Sequence, residues 1–293
     1  MKKILAAVLS AALIAVTALA FTACSSDPVV KIIPYDLSSE SYGIGIQKGN
    51  TELKTQIDSI LTELIEEGIE VDGEKKTFND IYLEEMQALE NGEFLSIGSV
   101  ATESTNRAEE LVVATNAEFA PFEYISDNSF GGIDMQVAKI LAERMNKRLV
   151  IRNMGFEVVV QNVADGNADI AMAGLTISED RKQQVDFSIE YCTAAQRIAV
   201  AIDDTTFDDC KSKEDVDNVL KSLTGIKAGG ATAQTGLYYL QGSEDFDFDG
   251  FPNLEVLQYR KVSDAVQALT VGNIQLVCAD KDVLELAVRG VNR

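Results

Sequence analysis

The chain of 293 residues carries 47 acidic and 25 basic side chains, a formal net charge of −22, and contains neither histidine nor tryptophan. A surface this negative repels phosphate backbones, which excludes nucleic acid as a partner. Without histidine, imidazole-based catalysis and the commonest metal ligand are excluded, and we expect no cofactor and no metal. Apart from Cys24, the cysteines Cys192, Cys210 and Cys278 lie far apart in sequence, so structural thiols are expected and their pairing stays open.

The first 23 residues have the pattern of a secretory signal peptide. Two lysines are followed by an apolar run over residues 4–21 and then by small residues before Cys24. This succession resembles a bacterial lipoprotein signal, which implies that Cys24 is lipidated and that residues 24–30 tether the protein to the outer face of the cell membrane. An uncleaved anchor is the alternative, because the apolar run is nearly long enough to span a bilayer.

The next part of the chain, up to the first buried strand, predicts one strand, two helices and a linker. Residues 42–46 alternate glycine with apolar residues and are a candidate strand. Apolar residues at helical spacing from Leu53 to Leu64 indicate an amphipathic helix, and a charged helix is expected over 78–89. Residues 91–110 are rich in Ser, Thr, Asn and Glu with little periodicity, which is typical of an exposed linker.

Strands then alternate with helices along the rest of the chain. Buried strands are predicted at residues 111–115, 149–152, 170–173 and 198–202. Asp134 is placed to cap a helix between the first two. A second series runs from residue 226 through a helix at 263–269 to a strand at 276–278. This alternation favours predominantly parallel sheets in two α/β lobes, with ligands bound in the crevice at the carboxyl ends of the strands.

Two motifs carry most of the functional information. Residues 116–124 read NAEFAPFEY, followed by GID, and residues 173–181 read AGLTISEDR, followed by VDFS. In this order they resemble the amino-acid-binding proteins of bacterial ABC importers, solute-binding protein family 3. The resemblance extends over about 31–67 and 110–288. It implies a type II periplasmic-binding-protein-like fold of two α/β lobes, which captures a free amino acid outside the cytoplasm for an ABC permease.

The order of the segments departs from that family. Residues 36–50 resemble the family's last crossover and final strand, which would follow the second lobe but here precede the first. We therefore predict a circular permutant whose old ends are joined through the 91–110 linker. Lobe 1 is then expected at residues 40–197, and lobe 2 at 31–39 and 198–293. A truncated product of tandem duplication is the alternative, because it too would leave partial lobes.

Arg181 is the first candidate ligand-binding residue. A guanidinium fork matches the carboxylate of a free amino acid with two parallel hydrogen bonds. Thr176, on the same loop, offers a hydroxyl, and Gly174 offers a backbone carbonyl to the ligand's ammonium group. The alternative is an ordinary arginine at a helix start, paired with Glu179 or Asp180.

Asp280 is the second candidate, at the carboxyl end of a predicted strand in the other lobe. The resemblance implies that it pairs with the ligand's α-ammonium, and a helix N-cap is an alternative or additional role. The turn AGGATAQTG, in the same lobe, opens a helix where the N–H of Thr235 is a candidate second donor to the carboxylate. Ala233 replaces a glycine common in the family, which is tolerable only if the backbone there does not need a positive φ.

Three further residues match family positions around the ligand's side chain. Phe119 and Phe156 match the aromatic residues that enclose it, with core packing as the alternative. Asn116 lies where a carboxylate is often found, so the pocket favours a neutral over a cationic amino acid.

Two other readings of the sequence are weaker. The acidic turn at 245–250 begins like a calcium loop but lacks the glutamate at the twelfth position, so an acidic surface turn is expected. A dehydratase-like enzyme on the same fold, with Glu118 or Glu123 as acid or base, is the functional alternative. No nucleophile–base pair is evident, and we expect a binding protein rather than an enzyme.

Overall fold

The computed structural model describes residues 27–293, so the predicted signal peptide and Cys24 lie outside the described residues. Between residues 27 and 293, no helix combines the length and apolarity needed to cross a membrane. The strands are β1 Val30–Ile32, β2 Glu40–Tyr42, β3 Gly45–Gln47, β4 Ile69–Val71, β5 Glu74–Lys76, β6 Glu110–Thr115, β7 Glu118–Phe119, β8 Glu123–Ser126, β9 Ser129–Gly131, β10 Arg148–Asn153, β11 Ile170–Ala171, β12 Val185–Phe187, β13 Cys192–Ala194, β14 Gln196–Ala201, β15 Lys227–Ala231, β16 Glu255–Tyr259 and β17 Leu276–Asp280. The α-helices are α1 Thr51–Glu66, α2 Phe78–Asn91, α3 Ile133–Arg144, α4 Val159–Ala164, α5 Glu179–Gln184, α6 Lys213–Ser222, α7 Thr235–Gln241, α8 Val262–Thr270 and α9 Lys281–Val291.

Two five-stranded sheets form the cores of two lobes. The sheet of lobe 1 has the order β10-β6-β11-β3-β12, and that of lobe 2 has the order β1-β14-β17-β15-β16. In each sheet two neighbouring pairs are parallel and two are antiparallel. The prediction of predominantly parallel sheets is therefore wrong, because β3 and β14 run against both of their neighbours. The prediction of two α/β lobes is confirmed.

The predicted elements are found with small changes of boundary. The strands expected near residues 111, 149, 198 and 276 are β6, β10, β14 and β17, and every residue of β6 and β17 is buried. The expected strand at 42–46 is split, because β2 pairs with β13 between the lobes whereas β3 pairs within lobe 1. Helix α1 buries Ile57, Ile60, Leu61 and Leu64, as its apolar spacing predicts.

Asp134 does not cap helix α3, contrary to the expectation from sequence. The N-cap is Gly132, and Asp134 is the second residue of the helix, with its side chain fully buried. Its carboxylate accepts hydrogen bonds from the N–H of Gly174 at 2.9 Å and from the hydroxyl of Tyr191 at 2.8 Å. The side chain therefore fixes the loop after β11 and the residue just before β13.

The chain crosses between the lobes twice. One crossing leads from β1 to β2 and the other from β13 to β14. Strands β2 and β13 pair antiparallel, with Glu40 opposite Ala194, so the two crossings form a two-stranded hinge. Side chains of α2 and α9 also link the lobes, since Tyr82 donates to Asp282 at 2.7 Å and Arg289 donates to Glu90 at 2.8 Å.

The two ends of the described chain lie side by side on lobe 2. The side-chain oxygen of Asn292 accepts the amides of Val29 at 2.9 Å and Val30 at 3.1 Å. Its amide nitrogen donates to the carbonyl of Val30 at 2.8 Å. Strand β1 is thus held at the edge of the sheet by β14 on one side and by the end of the chain on the other.

The predicted linker is attached to lobe 1 rather than exposed throughout. Ile97 is buried and its amide donates to the carbonyl of Phe130 at 3.0 Å. Ala101 forms a parallel bridge with Val150, at the edge of the lobe 1 sheet. Asn91 is the last residue of α2 and Glu110 is the first residue of β6, so the irregular segment is 92–109.

Glu110 organises the end of this segment. Its carboxylate accepts hydrogen bonds from Ser104, from the amides of Thr105 and Asn106, and from Arg148. Burial alone would raise the pKa of Glu110, but these hydrogen bonds outweigh it and hold the pKa well below its usual range. Since the ionised form is favoured in the folded state, its contribution to stability is present above the unfolded-state pKa and is lost as the pH falls below it.

We expect Glu110→Gln to lower the free energy of unfolding near pH 7, with the difference from the wild type narrowing towards about pH 3. Urea denaturation at both pH values measures this. Glu109→Gln, which changes an exposed neighbouring carboxylate, is the control and should have little effect at either pH. A pH-independent difference for Glu110→Gln would contradict the assigned role.

Candidate functional site

Arg181 lies where the two lobes meet. Ser178 caps the short helix α5 by accepting the amide of Arg181 at 3.3 Å, which fixes where the side chain leaves the backbone. The guanidinium donates from Nη1 to the carbonyl of Thr176 at 2.7 Å and from Nη2 to the carbonyl of Ala233, in lobe 2, at 3.4 Å. It lies over the rings of Phe156, at 5.3 Å, and of Phe246, at 5.8 Å.

The guanidinium of Arg181 has no carboxylate partner among residues 27–293. The sequence alternative of a pair with Glu179 or Asp180 is not found. Glu179 pairs with Lys182 at 2.7 Å, and the amide of Asp180 donates to Asp245 of lobe 2 at 2.7 Å. The direct contacts of the guanidinium are therefore carbonyl oxygens and aromatic faces, and the nearby carboxylates act on its charge only at longer range.

Two threonine hydroxyls meet across the cleft. The Oγ1 atoms of Thr176, in lobe 1, and Thr235, at the start of α7 in lobe 2, lie 3.2 Å apart, and both residues are buried. The first amides of α7 have no acceptor within their own helix. Because the hydroxyls touch, the lobes are closed onto each other here. A ligand between the lobes would have to part them.

Asp280 ends β17 and precedes α9. It occupies the N-cap position, but its side chain makes no capping hydrogen bond. The carboxylate instead accepts the hydroxyl of Tyr42, from the hinge, at 2.5 Å. Burial, followed by repulsion from Glu40, raises the pKa of Asp280 to about 7. Asp280 therefore has the position of a helix N-cap, but its carboxylate bonds to Tyr42 instead of to the helix amides.

Glu40 is a site residue that sequence reasoning missed. It lies on β2, is 9% exposed, and its carboxylate accepts hydrogen bonds from Ser38, from Gln196 at 3.2 Å and from Thr176 at 3.4 Å. Burial raises the pKa of Glu40. No sequence spacing connects a glutamate in the hinge with an aspartate near the other end of the chain. The sequence therefore indicated only that Glu40 lies in the segment that crosses between the lobes.

Of the other predicted site residues, one lies at Arg181 and the rest make contacts within lobe 1. Phe156 is at Arg181, as described. Phe119 is buried and stacks on Phe122 at 6.0 Å, and a Cβ on Gly174 would come within 2.6 Å of its ring. Gly174 needs its φ of +52° at this close approach. The side-chain amide of Asn116 donates to the carbonyl of Met154 at 2.8 Å, so it is occupied by the backbone.

Cavities adjoin both charged ends of this site. A cavity of about 680 Å³ on the hinge side is lined by Tyr42, Phe122 and Asp280, among others. A cavity of about 340 Å³ is lined by Phe156 and Arg181, together with carboxylates. Those carboxylates belong to Glu157, Asp180 and Asp245.

The acidic turn after α7 joins the lobes. Asp245 accepts the amide of Asp180, and Phe246 covers Arg181. A bridge between Ser243 and Phe248 closes the turn. In residues 27–293 no group of three or more Cys, Asp or Glu side chains is arranged to hold a metal ion. The turn is thus part of the contact that covers the arginine.

Part of the chain matches a family of known proteins. Residues 111–242 match the bacterial extracellular solute-binding proteins, family 3. The chain is 27% identical over 172 residues to an arginine-binding extracellular protein of Bacillus subtilis, covering 59% of this chain and 61% of that one. It is 29% identical over 188 residues to a probable histidine-binding protein of Neisseria gonorrhoeae, covering 63% of each. The chain thus spans about three fifths of the length of these relatives.

The solved structures agree on the fold. An ancestral arginine-binding protein bound to arginine superposes with a TM-score of 0.52 at 29% identity, covering 62% of this chain and 74% of that one. The resemblance to family 3 and the type II periplasmic-binding-protein-like fold are therefore confirmed. A shorter match, 35% identical over 82 residues, is to a cyclohexadienyl dehydratase of Pseudomonas aeruginosa and covers 28% of this chain and 31% of that one.

Ala233 has a positive backbone φ, the conformation in which alanine is a poor replacement for glycine. Its φ is +61°, in the left-handed region that favours glycine, so the condition of a non-positive φ is not met. The strain is held by the turn that brings its carbonyl to Arg181.

We expect Ala233→Gly to keep the free energy of unfolding or raise it by up to about 1 kcal/mol, because relief of the left-handed strain exceeds the added backbone entropy. Urea denaturation measures the change. Ala231→Gly is the matched control, since Ala231 is buried in β15 without a positive φ, and it should lose about 1 kcal/mol. An equal loss at both positions would contradict the assigned strain.

Proposed function

From its family 3 segment, residues 111–242, we propose that this chain captures a free amino acid between its two lobes for an ABC importer. The observation that carries the proposal is the guanidinium of Arg181. It donates hydrogen bonds to carbonyl oxygens of both lobes but forms no ion pair with a carboxylate among the described residues. A guanidinium in this state is a site for a carboxylate, which binds it with two charge-assisted hydrogen bonds.

The ligand's two charged groups would be held by opposite lobes. Arg181 and Thr176 of lobe 1, with the N–H of Thr235 of lobe 2, bind the carboxylate, and Gly174 and Asp280 face the ammonium. The ligand would replace the contact between the hydroxyls of Thr176 and Thr235. Because it makes contacts with both lobes only when they are closed, it shifts the open–closed equilibrium, and the importer reads that closure.

The side chain of the ligand would lie beside Phe156. The sequence favours a neutral amino acid, since Asn116 stands in place of an acid. Three carboxylates, those of Glu157, Asp180 and Asp245, line the cavity next to Phe156, which supports a cationic side chain as the second candidate. The two relatives are named for binding arginine and histidine, and an ancestral arginine-binding protein has been solved bound to glutamine. Arginine, histidine and glutamine therefore form the first ligand panel.

The protein would act outside the cytoplasm, anchored to the membrane by lipidated Cys24. The signal-like succession before Cys24 supports an extracytoplasmic location, as do the family and the B. subtilis relative, which are both described as extracellular. The permease is the protein partner.

An enzyme on the same fold is less well supported. Glu118 forms an ion pair with Arg260 of lobe 2, with Nε donating at 3.0 Å. Glu123 is fully buried, and burial together with Asp134 raises its pKa well above the usual range. Glu118 is thus held by a basic partner from the other lobe, and Glu123 is shielded from solvent. Product formation on incubation with candidate substrates would favour the enzyme.

We also propose that the chain is a circular permutant. Three features support this: β3 lies inside the lobe 1 sheet, β1 completes the lobe 2 sheet, and Asn292 joins the two ends of the described chain. A truncated duplication would not require residues 31–67 to supply strands that the rest of the chain lacks.

We expect Arg181→Ala to weaken binding of the best ligand in the panel by about 3–5 kcal/mol, because the ligand's carboxylate loses its partner in a closed site. Thermal shift identifies the ligand and isothermal calorimetry measures the dissociation constant. Arg260→Ala removes an exposed inter-lobe ion pair and is the control, with an expected cost under about 1 kcal/mol. Unchanged affinity in Arg181→Ala would refute the site.

We expect a rearranged chain that starts at residue 103, continues from 293 into 27 through a short glycine–serine linker and ends at 102 to fold and bind as the original does. Its free energy of unfolding should differ by no more than about 2 kcal/mol, because the joined ends are already in contact and the new ends are exposed. The original order carrying the same linker between 102 and 103 is the control. Loss of folding in the rearranged chain alone would count against the permutation.

A further inference from the structure

Two buried carboxyl groups meet at the hinge end of the cleft without a basic partner. Glu40 comes from hinge strand β2 and Asp280 from the end of β17 in lobe 2, and they are 9% and 4% exposed. Neither forms an ion pair with a basic side chain in the described part of the chain. The hydrogen bonds to them come from neutral donors, chiefly Ser38, Tyr42 and Gln196.

A buried acceptor beside this pair is left unused. Gln196 lies directly opposite Asp280 in the pairing of β14 with β17, and its side chain is fully buried. Its amide nitrogen donates to Glu40 at 3.2 Å, whereas its oxygen has no hydrogen-bond donor. A buried amide oxygen without a donor is unfavourable, and at this place it is consistent with a donor that arrives with a ligand.

We infer that Glu40 and Gln196 complete, together with Asp280, the receptor for the ligand's ammonium group, an inference that rests on the proposed capture of an amino acid. An ammonium group has three N–H donors and no acceptor, and these three side chains offer two carboxylates and one amide oxygen. Because β2 belongs to the hinge and β17 to lobe 2, the ammonium would also hold the hinge in its closed geometry.

Proton release from this pair on ligand binding makes the inference measurable. Burial raises the pKa of both carboxyl groups, that of Asp280 to about 7, and a charge on one disfavours ionisation of the other, so without a ligand the pair tends to retain a proton as the pH falls towards and below 7. A bound ammonium favours the doubly ionised pair and expels that proton. The other titratable or charged groups that act on the pair or are acted on by it are Tyr42, Glu123, Arg181, Cys192 and Cys278.

The test is calorimetry with the tightest binder among arginine, histidine and glutamine, in phosphate and in Tris, whose different ionisation heats give the number of protons released. For the wild type we expect proton release near pH 7 that grows as the pH is lowered, and an affinity that rises by up to about tenfold per pH unit from pH ~5 to ~7. For Glu40→Gln we expect an affinity at least about tenfold lower and less proton release than in the wild type, because Asp280 then lacks the neighbouring carboxylate that helps to raise its pKa.

Glu85→Gln is the matched control. Glu85 is also a buried carboxyl group with a raised pKa, but it is bonded to Tyr124 and Gln136 within lobe 1, so its loss should leave affinity and proton release unchanged. Wild-type binding without proton release and without pH dependence would overturn the inference even if Glu40→Gln does not fold. So would equal affinity in Glu40→Gln. Each of these results leaves amino-acid capture intact, whereas a wild type that binds no amino acid overturns both proposals.

Discussion

The guanidinium of Arg181 is held in place by both lobes, and neither supplies the negative charge that would neutralise it. Carbonyl oxygens of Thr176 and Ala233 accept its N–H groups, and two aromatic rings cover its faces. Desolvating a charge without a directly bonded opposite charge is unfavourable, so an anion bound beside the guanidinium would be stabilised. The capped start of α5, the strained turn at Ala233 and the acidic turn after α7 all contribute to this one environment.

The opposite end of the cleft has the complementary deficit. Two carboxyl groups and an amide oxygen gather there without a cation, and the threonine contact separates them from the arginine. A molecule that carries both charges at once would satisfy both ends, while a simple anion or a simple cation would satisfy one. The contacts between α2 and α9 also join the lobes, so they restrain how the lobes move.

The sequence predicted those features that depend on neighbouring residues. Apolar periodicity located α1, β6 and β17, and local motifs pointed to Arg181 and Asp280. Features set by distant parts of the chain were missed. The antiparallel course of β3 follows from where its segment enters the sheet, which no local pattern encodes. Asp134 is of a residue type favoured at helix N-caps, yet its tertiary contacts with Gly174 and Tyr191 determine its role. Glu40 could not be linked to Asp280 for the same reason.

The position of β1 bears on the order in which the nascent chain can fold. Strand β1 leaves the ribosome before any of lobe 1, but its partner β14 and the clasp at Asn292 are made only after lobe 1 is complete. Lobe 1 is a continuous stretch and can fold first, so β1 waits with its edge unsatisfied, a state in which strands are prone to pair with other chains. Lys31, in the middle of β1, places a charge on that waiting edge, and in the finished protein the same lysine is neutralised by Asp208 at 2.7 Å.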